Sequence, residues 1–235
     1  MRVGAGRAPV AEVFLESGFV VSEGHTVADG DYFLQAQGLH FAYPECAVLN
    51  DVSFDLNAGL ALVQGDESSG KTTLLRVLSA ELAPQTGEVT LRGISQRAQP
   101  AAYRSQVFWQ DPRNSALDEL TARQWLGSLP AQHPAWDAAA LAQHVTGFSL
   151  EPHLDKPFYA LSTGSRRKVL MAGALASGSA LTLIDEPVAG LDKPSIDHLV
   201  RAFSAVARQA NRLVVVAHYE PLQGVPWEQT LVLSR

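Results

Sequence analysis

From residue 32 onward the apolar positions of the chain follow first a period of two and later a period near three and a half. Val52, Phe54 and Leu56 alternate with Ser53 and Asp55, so Val48 to Leu56 is predicted as a half-buried strand. Tyr32 to Ala36 is predicted as another, with Pro44 turning the chain between them, which makes antiparallel pairing the first expectation. Leu60 to Gln64 is a short, almost unbroken apolar run suited to a fully buried strand. Beyond it Leu74, Leu75, Val77, Leu78 and Leu82 recur at helical spacing. Thr86 to Gly93 gives a turn, a strand and a turn. Ser105 to Gln110 gives a strand that stops at the breaker Asp111-Pro112.

The second half is helical before it alternates. Leu117, Leu120, Trp125 and Leu129 are expected on one broad helical face, and Trp136 to Val145 forms a further helix beyond Pro130 and Pro134. A third helix starts near Ser162 to Ser165 and runs to Ala176. Strand Leu181 to Asp185, an amphipathic helix carrying Ile196, Leu199, Val200, Phe203 and Val206, and strand Leu213 to Ala217 follow. Alternating strands and helices imply right-handed crossovers and a mostly parallel sheet. The fold class expected is therefore α/β, with an antiparallel β portion toward the N-terminus and a small helical subdomain over about residues 113–177. Residues 1–30 keep neither period and are read as an extension of uncertain order ahead of a single domain over 31–235.

Composition narrows the function. At 235 residues and 46% hydrophobic, the chain can bury a substantial core. A formal net charge of −6 provides no general attraction to nucleic acid or anionic membrane and argues against a nucleic-acid partner. The single cysteine, Cys46, cannot close an internal disulfide, so a reducing cytoplasm is the expected compartment. No apolar run is long enough to cross a bilayer, and Glu12 and Glu16 interrupt the N-terminal stretch. Work at a membrane would require a partner that spans it.

The chemistry begins at Gly65-Asp66-Glu67-Ser68-Ser69-Gly70-Lys71-Thr72-Thr73, which fits the G-x-x-x-x-G-K-[ST] phosphate loop between a strand and a helix. Its backbone N–H groups and the positive end of the following helix can converge on phosphate oxygens. Lys71 supplies a point charge and Thr72 a hydroxyl for Mg²⁺. The second element is Leu181 to Glu186, which delivers Asp185 and Glu186 together to the carboxyl end of a buried strand, the edge of an open α/β sheet where ligands bind. Asp185 is the candidate ligand for Mg²⁺, and Glu186 the candidate to polarise an attacking water.

In order and spacing these motifs resemble the ATP-binding cassette (ABC) ATPases, over about residues 32–235. The resemblance implies that ATP is bound and hydrolysed with Mg²⁺, and it assigns further residues. Tyr43 matches the aromatic that stacks on adenine, with strand packing the lesser alternative for a lone tyrosine. Gln110 matches the glutamine that reaches the metal ion and the attacking water. Leu161-Ser162-Thr163-Gly164-Ser165 resembles the family signature Leu-Ser-Gly-Gly-Gln, which binds the ATP held by a second subunit, and Ser162 and Gly164 are its matching residues. As plain chemistry the same stretch is a Ser N-cap. Arg166, Arg167 and Lys168 follow, a basic run whose usual setting at a helix start is solvent. Ala189-Gly190-Leu191-Asp192 resembles the loop that meets the opposite subunit. His218, after the last buried strand, resembles the histidine that touches the γ-phosphate.

Two departures stand out. Thr163 and Ser165 replace a signature glycine and the glutamine, and the phosphate loop carries Asp66, Glu67 and Ser68, the last where the family commonly has glycine. Modest affinity or slow turnover is the expected consequence. The resemblance implies an ATPase subunit that forms a homodimer or heterodimer around ATP and drives a separate transmembrane permease from the cytoplasmic face. The alternatives are a soluble ABC-type regulatory or nucleic-acid-associated switch, and a scaffold that binds ATP without hydrolysing it.

Overall fold

The computed structural model describes residues 12–14, 19–22 and 32–234. The N-terminal extension read from the sequence thus lies outside the described residues, apart from strands β1 (Glu12–Phe14) and β2 (Phe19–Ser22), which pair antiparallel. β3 (Leu34–Tyr43) and β4 (Cys46–Leu56) form the expected hairpin, both longer than periodicity alone marked. Tyr43 pairs with Cys46, which leaves Pro44 and Glu45 as the turn. β5 (Gly59–Gly65) runs into the phosphate loop, and α1 (Lys71–Leu78) leaves it. Leu82 lies beyond the helix end, where it packs on the core from a loop.

Next come β6 (Thr86–Leu91), β7 (Ile94–Ser95), the short helix α2 (Pro100–Arg104) and β8 (Val107–Phe108). β8 is only the centre of the strand expected over Ser105 to Gln110, because just two of its residues pair with a neighbour. α2 is absent from the sequence reading. Its Tyr103 hydroxyl donates to Leu78 O at 2.7 Å, and Gln96 Nε2 donates to Val77 O at 2.7 Å. Two carbonyls at the end of α1, which have no partner inside the helix, are satisfied in this way.

The broad face expected around Leu117 to Leu129 is broken. A 3-10 turn at Ser115–Leu117 precedes α3 (Ala122–Ser128), and Leu120, expected inside, is 39% exposed. Thr121 and Gln124 form a reciprocal capping box that starts α3 afresh. α4 (Ala138–Gly147) begins only after Asp137, which caps it, so the expected start at Trp136 was early. α5 (Thr163–Ala176), β9 (Leu181–Asp185), α6 (Lys193–Val206), β10 (Leu213–His218) and β11 (Gln229–Leu233) complete the chain.

Two sheets result. One has the order β4-β3-β6-β7 and is antiparallel throughout. The other has the order β1-β2-β11-β5-β10-β9-β8, parallel from β11 to β8 and antiparallel at β1 and β2. β10 lies buried between β5 and β9 and serves two cores at once. Its Leu213, Val215 and Ala217 pack with α1 and the antiparallel sheet, and its Val214 and Val216 with α3, α5 and α6. Burial on both faces explains why β10 reads as continuously apolar rather than alternating. Parallel strands also deliver the ends of β5, β9 and β10 to one edge, and that edge holds the site.

Candidate active site

The phosphate loop is shaped by close backbone approaches. A Cβ at Gly65 would collide with Ser69 Oγ and Leu233 O, and one at Gly70 would press on Val48, where the backbone also takes φ +98°. Ser68 sits at φ +61°, in the left-handed region that favours glycine, although it carries a side chain. Asp66 and Glu67 are exposed, so the loop acids expected near phosphate point largely to solvent, with Glu67 on the rim of the cleft. Lys71 is buried. Its Nζ donates to Gly65 O at 2.7 Å and Asp66 O at 2.8 Å and lies 4.0 Å from Glu186 Oε1. The ammonium thus bridges the loop's own carbonyls, neutral partners that an anionic ligand can outcompete.

β9 carries Asp185 beside that loop. Thr72 Oγ1 donates to Asp185 Oδ2 at 2.7 Å, and Arg113 Nη2 lies 3.3 Å from the same oxygen. Asp185 Oδ1 is buried with no hydrogen-bond partner among the described residues. Burial raises the carboxyl's pKa, and the Thr72 hydrogen bond and the Arg113 charge pull it back. A buried carboxylate oxygen lacking a partner, next to a threonine hydroxyl, is a hard oxygen donor set that fits Mg²⁺. Gln110, expected to join it, lines a small cavity of about 30 Å³ with Asp185, Phe108, Pro112 and Arg167.

Glu186 follows with φ +46°, a strained backbone held by the hydrogen bond from its N–H to Ala217 O at 3.0 Å. The strain turns its side chain out of the strand toward the cleft, where Oε2 meets His218 Nδ1 at 2.8 Å. That hydrogen bond, more than any other influence, lowers the Glu186 pKa and keeps the carboxylate ionised against partial burial. His218 is buried at the end of β10. Its ring is 4.3 Å from that of Tyr219, which lines the cleft.

Tyr43, Ser68, Gly70, Lys71, Thr72, Thr73, Arg113 and Glu186 line one open cleft of about 690 Å³. Tyr43 is 38% exposed, packs edge-on against Phe41 and accepts a hydrogen bond from Arg76 Nη1 at 3.3 Å. Its outer face is therefore available for stacking on a flat ring. Arg113 and Tyr219 were missed by the sequence reading. No motif marks either, and only their chain positions next to Gln110 and His218 hint at them.

Ser162, Gly164 and Asp192 lie elsewhere and are not among the cleft residues. Ser162 caps α5, its Oγ accepting from Ser165 N at 3.1 Å and donating to Ser165 Oγ at 3.0 Å. Gly164 is buried, and a Cβ there would overlap the carbonyl oxygen of Gly190. Asp192 caps α6 by accepting from Ser195 N at 2.9 Å, and its other oxygen pairs with Lys168 Nζ at 2.6 Å. The Lys168 hydrogen bond, followed by those from Ser195, holds this carboxyl far below the usual range.

Arg166 to Lys168 do not simply face water, the usual setting of a basic run at a helix start. Arg166 Nε donates to Pro112 O at 3.1 Å, Nη1 donates to Asp118 Oδ1 at 2.7 Å and Nη2 donates to Asn114 O. Its guanidinium also sits 5.1 Å from the centre of the Phe158 ring. Arg167 reaches Ala189 O at 3.4 Å and Lys168 reaches Asp192. The neighbouring loops expose carbonyls and carboxylates toward the first turn of α5, and the three cations satisfy them.

The family model described as ABC transporter matches residues 49–189. A cytochrome c biogenesis ATP-binding export protein, CcmA 2, of Cupriavidus metallidurans is 33% identical over 195 residues, covering 78% of this chain and 92% of the relative. A protein of the same description from Rhizobium meliloti, CcmA, is 34% identical over 195 residues, covering 80% and 92%. Among solved structures, an ATP binding subunit of an ABC transporter superposes with TM-score 0.69 at 23% identity over 79% of each chain. CbiO1 of Clostridium perfringens, described as part of the ABC transporter complex cbiONQ, superposes with TM-score 0.60 at 21% identity, covering 81% and 80%. At those identities the superpositions speak for the fold alone.

Proposed function

We propose, from the premise that the chain belongs to the ABC transporter ATP-binding family, a division of labour among its residues for ATP binding and hydrolysis. The chain is an ATPase subunit that powers transport through a separate permease. Consistent with that division, no helix among the described residues is long and apolar enough to cross a membrane.

The observation that carries the assignment is the convergence of Lys71, Thr72, Asp185, Glu186 and His218 at the ends of β5, β9 and β10. In this reading the backbone of Gly65 to Thr73 cradles the phosphates, and Lys71 exchanges its two loop carbonyls for phosphate oxygens. Tyr43 stacks on the base, and Glu67, Ser68 and Thr73 form the rim. Thr72 and Asp185, with Gln110 nearby, hold Mg²⁺, which supplies charge neutralisation at the phosphates. Glu186, ionised and oriented by His218, takes the proton of the attacking water. Asp66 and Ser69 act through the loop backbone. Ser69 Oγ is buried without a partner among the described residues.

The chain sits at the cytoplasmic face of the membrane through a transmembrane permease, and two cassettes close around ATP with Ser162, Gly164 and the Asp192 loop at their junction. No residue in this division of labour contacts a transported substrate. Glu186→Gln tests the assignment: hydrolysis should fall by about a hundredfold or more while ATP still binds, and an ATP-bound dimer should accumulate in size-exclusion chromatography. Hydrolysis within a factor of two of the unmodified protein would remove Glu186 from the mechanism. A monomer at saturating ATP would remove the closed dimer.

A further inference from the structure

We propose that Arg113 is an internal counter-cation for Asp185, which a divalent metal ion must displace before the site is complete. The proposal rests on the reading of Asp185 as a metal ligand, and the controls below separate the two.

The Asp185 side chain is 1% exposed, and a carboxylate so enclosed is costly unless a positive charge or several donors reach it. Thr72 and Arg113 supply what it has, both at Oδ2, while Oδ1 is left without a partner among the described residues. The Arg113 side chain is 66% exposed, so its guanidinium reaches into the buried carboxylate from outside and can swing away without opening the core. It also lines the cleft together with Lys71, Thr72 and Glu186. Arg113 sits on Oδ2 and leaves Oδ1 open, so a divalent ion can enter at Oδ1. Guanidinium and ion on one carboxylate repel each other, and the ion gains both oxygens only as Arg113 leaves.

The mounting of Arg113 gives the exchange a direction. Its neighbours Pro112 and Asn114 offer their carbonyls to Arg166, in the first turn of α5 directly after Ser162 to Ser165. Arg113 thus ends a hydrogen-bonded path that joins Asp185 to the start of α5. Arg113 is in this sense a positioning residue, setting how much metal ion the site needs.

The test is Mn²⁺ binding followed by electron paramagnetic resonance, with ADP saturating so that no turnover contributes. Arg113→Gln removes the charge from an exposed side chain and should lower the Mn²⁺ midpoint roughly threefold to tenfold, the scale of one partly screened ion pair. Arg113→Lys keeps a cation and should restore the midpoint to near that of the unmodified protein. In EDTA the Gln variant should melt below the unmodified protein, and Mn²⁺ with ADP should close that gap. Asp185→Asn should abolish tight Mn²⁺ binding. A Gln variant with an unchanged midpoint beside a dead Asp185→Asn would overturn the role of Arg113 and leave the metal site standing. Unchanged binding in Asp185→Asn would overturn the metal-site reading, and the proposal with it.

Discussion

The phosphate loop and the signature turn start from similar material: a helix N-terminus, a glycine at a close approach, hydroxyl residues and a cation. They differ in where the polar groups point. At the loop, Lys71 donates its hydrogen bonds to carbonyls of its own loop, with Glu186 4.0 Å away, and Asp185 keeps one oxygen unmatched. At the signature turn Ser162 is committed to Ser165, Gly164 to Gly190, and Arg166, Arg167 and Lys168 to neighbouring loops. One region is arranged to exchange its partners for a ligand. The other mainly holds loops together, although Arg167 Nε there is buried without a partner among the described residues. Helix starts of like composition therefore diverge in role according to whether their charges are satisfied by groups that a ligand can replace.

The sharpest way to break this contrast is Arg166→Ala. Losing three hydrogen bonds and leaving the Asp118 carboxylate without its guanidinium should cost about 2–3 kcal/mol and lower Tm by roughly 5–10 °C in calorimetry. Nucleotide affinity of the monomer, read by fluorescent ATP analogue, should stay within a factor of two. Loss of affinity on the scale of the lost stability would mean that the two regions are one unit. Gly164→Ala probes the same turn more gently: its methyl meets the Gly190 carbonyl, so about 1–3 kcal/mol of destabilisation is expected in the nucleotide-free protein. An unchanged Tm with lost ATPase activity would instead make Gly164 a ligand-contacting glycine. Ser68→Gly acts on the other region and has the smallest effect. Relief of the left-handed backbone, offset by added freedom in the unfolded chain, should stabilise by less than about 1 kcal/mol in denaturant titration. Destabilisation there would show that the serine side chain compensates for its own strain.

Legibility in the sequence tracked the kind of physics involved. β9 has the same bounds as expected, since a strand buried on both faces must be apolar throughout and its acidic end marks the sheet edge. α5 began where Ser162 said it would, because caps are local chemistry, whereas the cap of α6, Asp192, was read only as part of a loop and its helix only from Ile196 on. β8 and the region of Leu117 to Leu129 were misjudged, for there the chain answers to neighbours far away in sequence: two pairs with β9 for the first, a fresh capping box for the second. β11 and α2 went unread, each justified only by what it covers. Of the residues named from motifs, Lys71, Thr72, Asp185, Glu186 and His218 meet at one sheet edge and Ser162, Gly164 and Asp192 lie apart, whereas Arg113 and the inward turn of Arg166 were not read at all. A long flexible cation has no period, and its partner is fixed only by the folded chain.

The position of β5 in its sheet has a consequence for how the protein is made. β5 and its loop are synthesised before α1, yet the strands on either side of it, β10 and β11, both follow α6. Leu233, in β11, supplies the carbonyl that closes over Gly65. Until those strands leave the ribosome the loop has no walls, and its hydrophobic strand has no edge partners. High contact order of this kind slows folding and prolongs exposure of unpaired β-edge. Nucleotide binding is thus a property the nascent chain acquires only once β10 and β11 have been made.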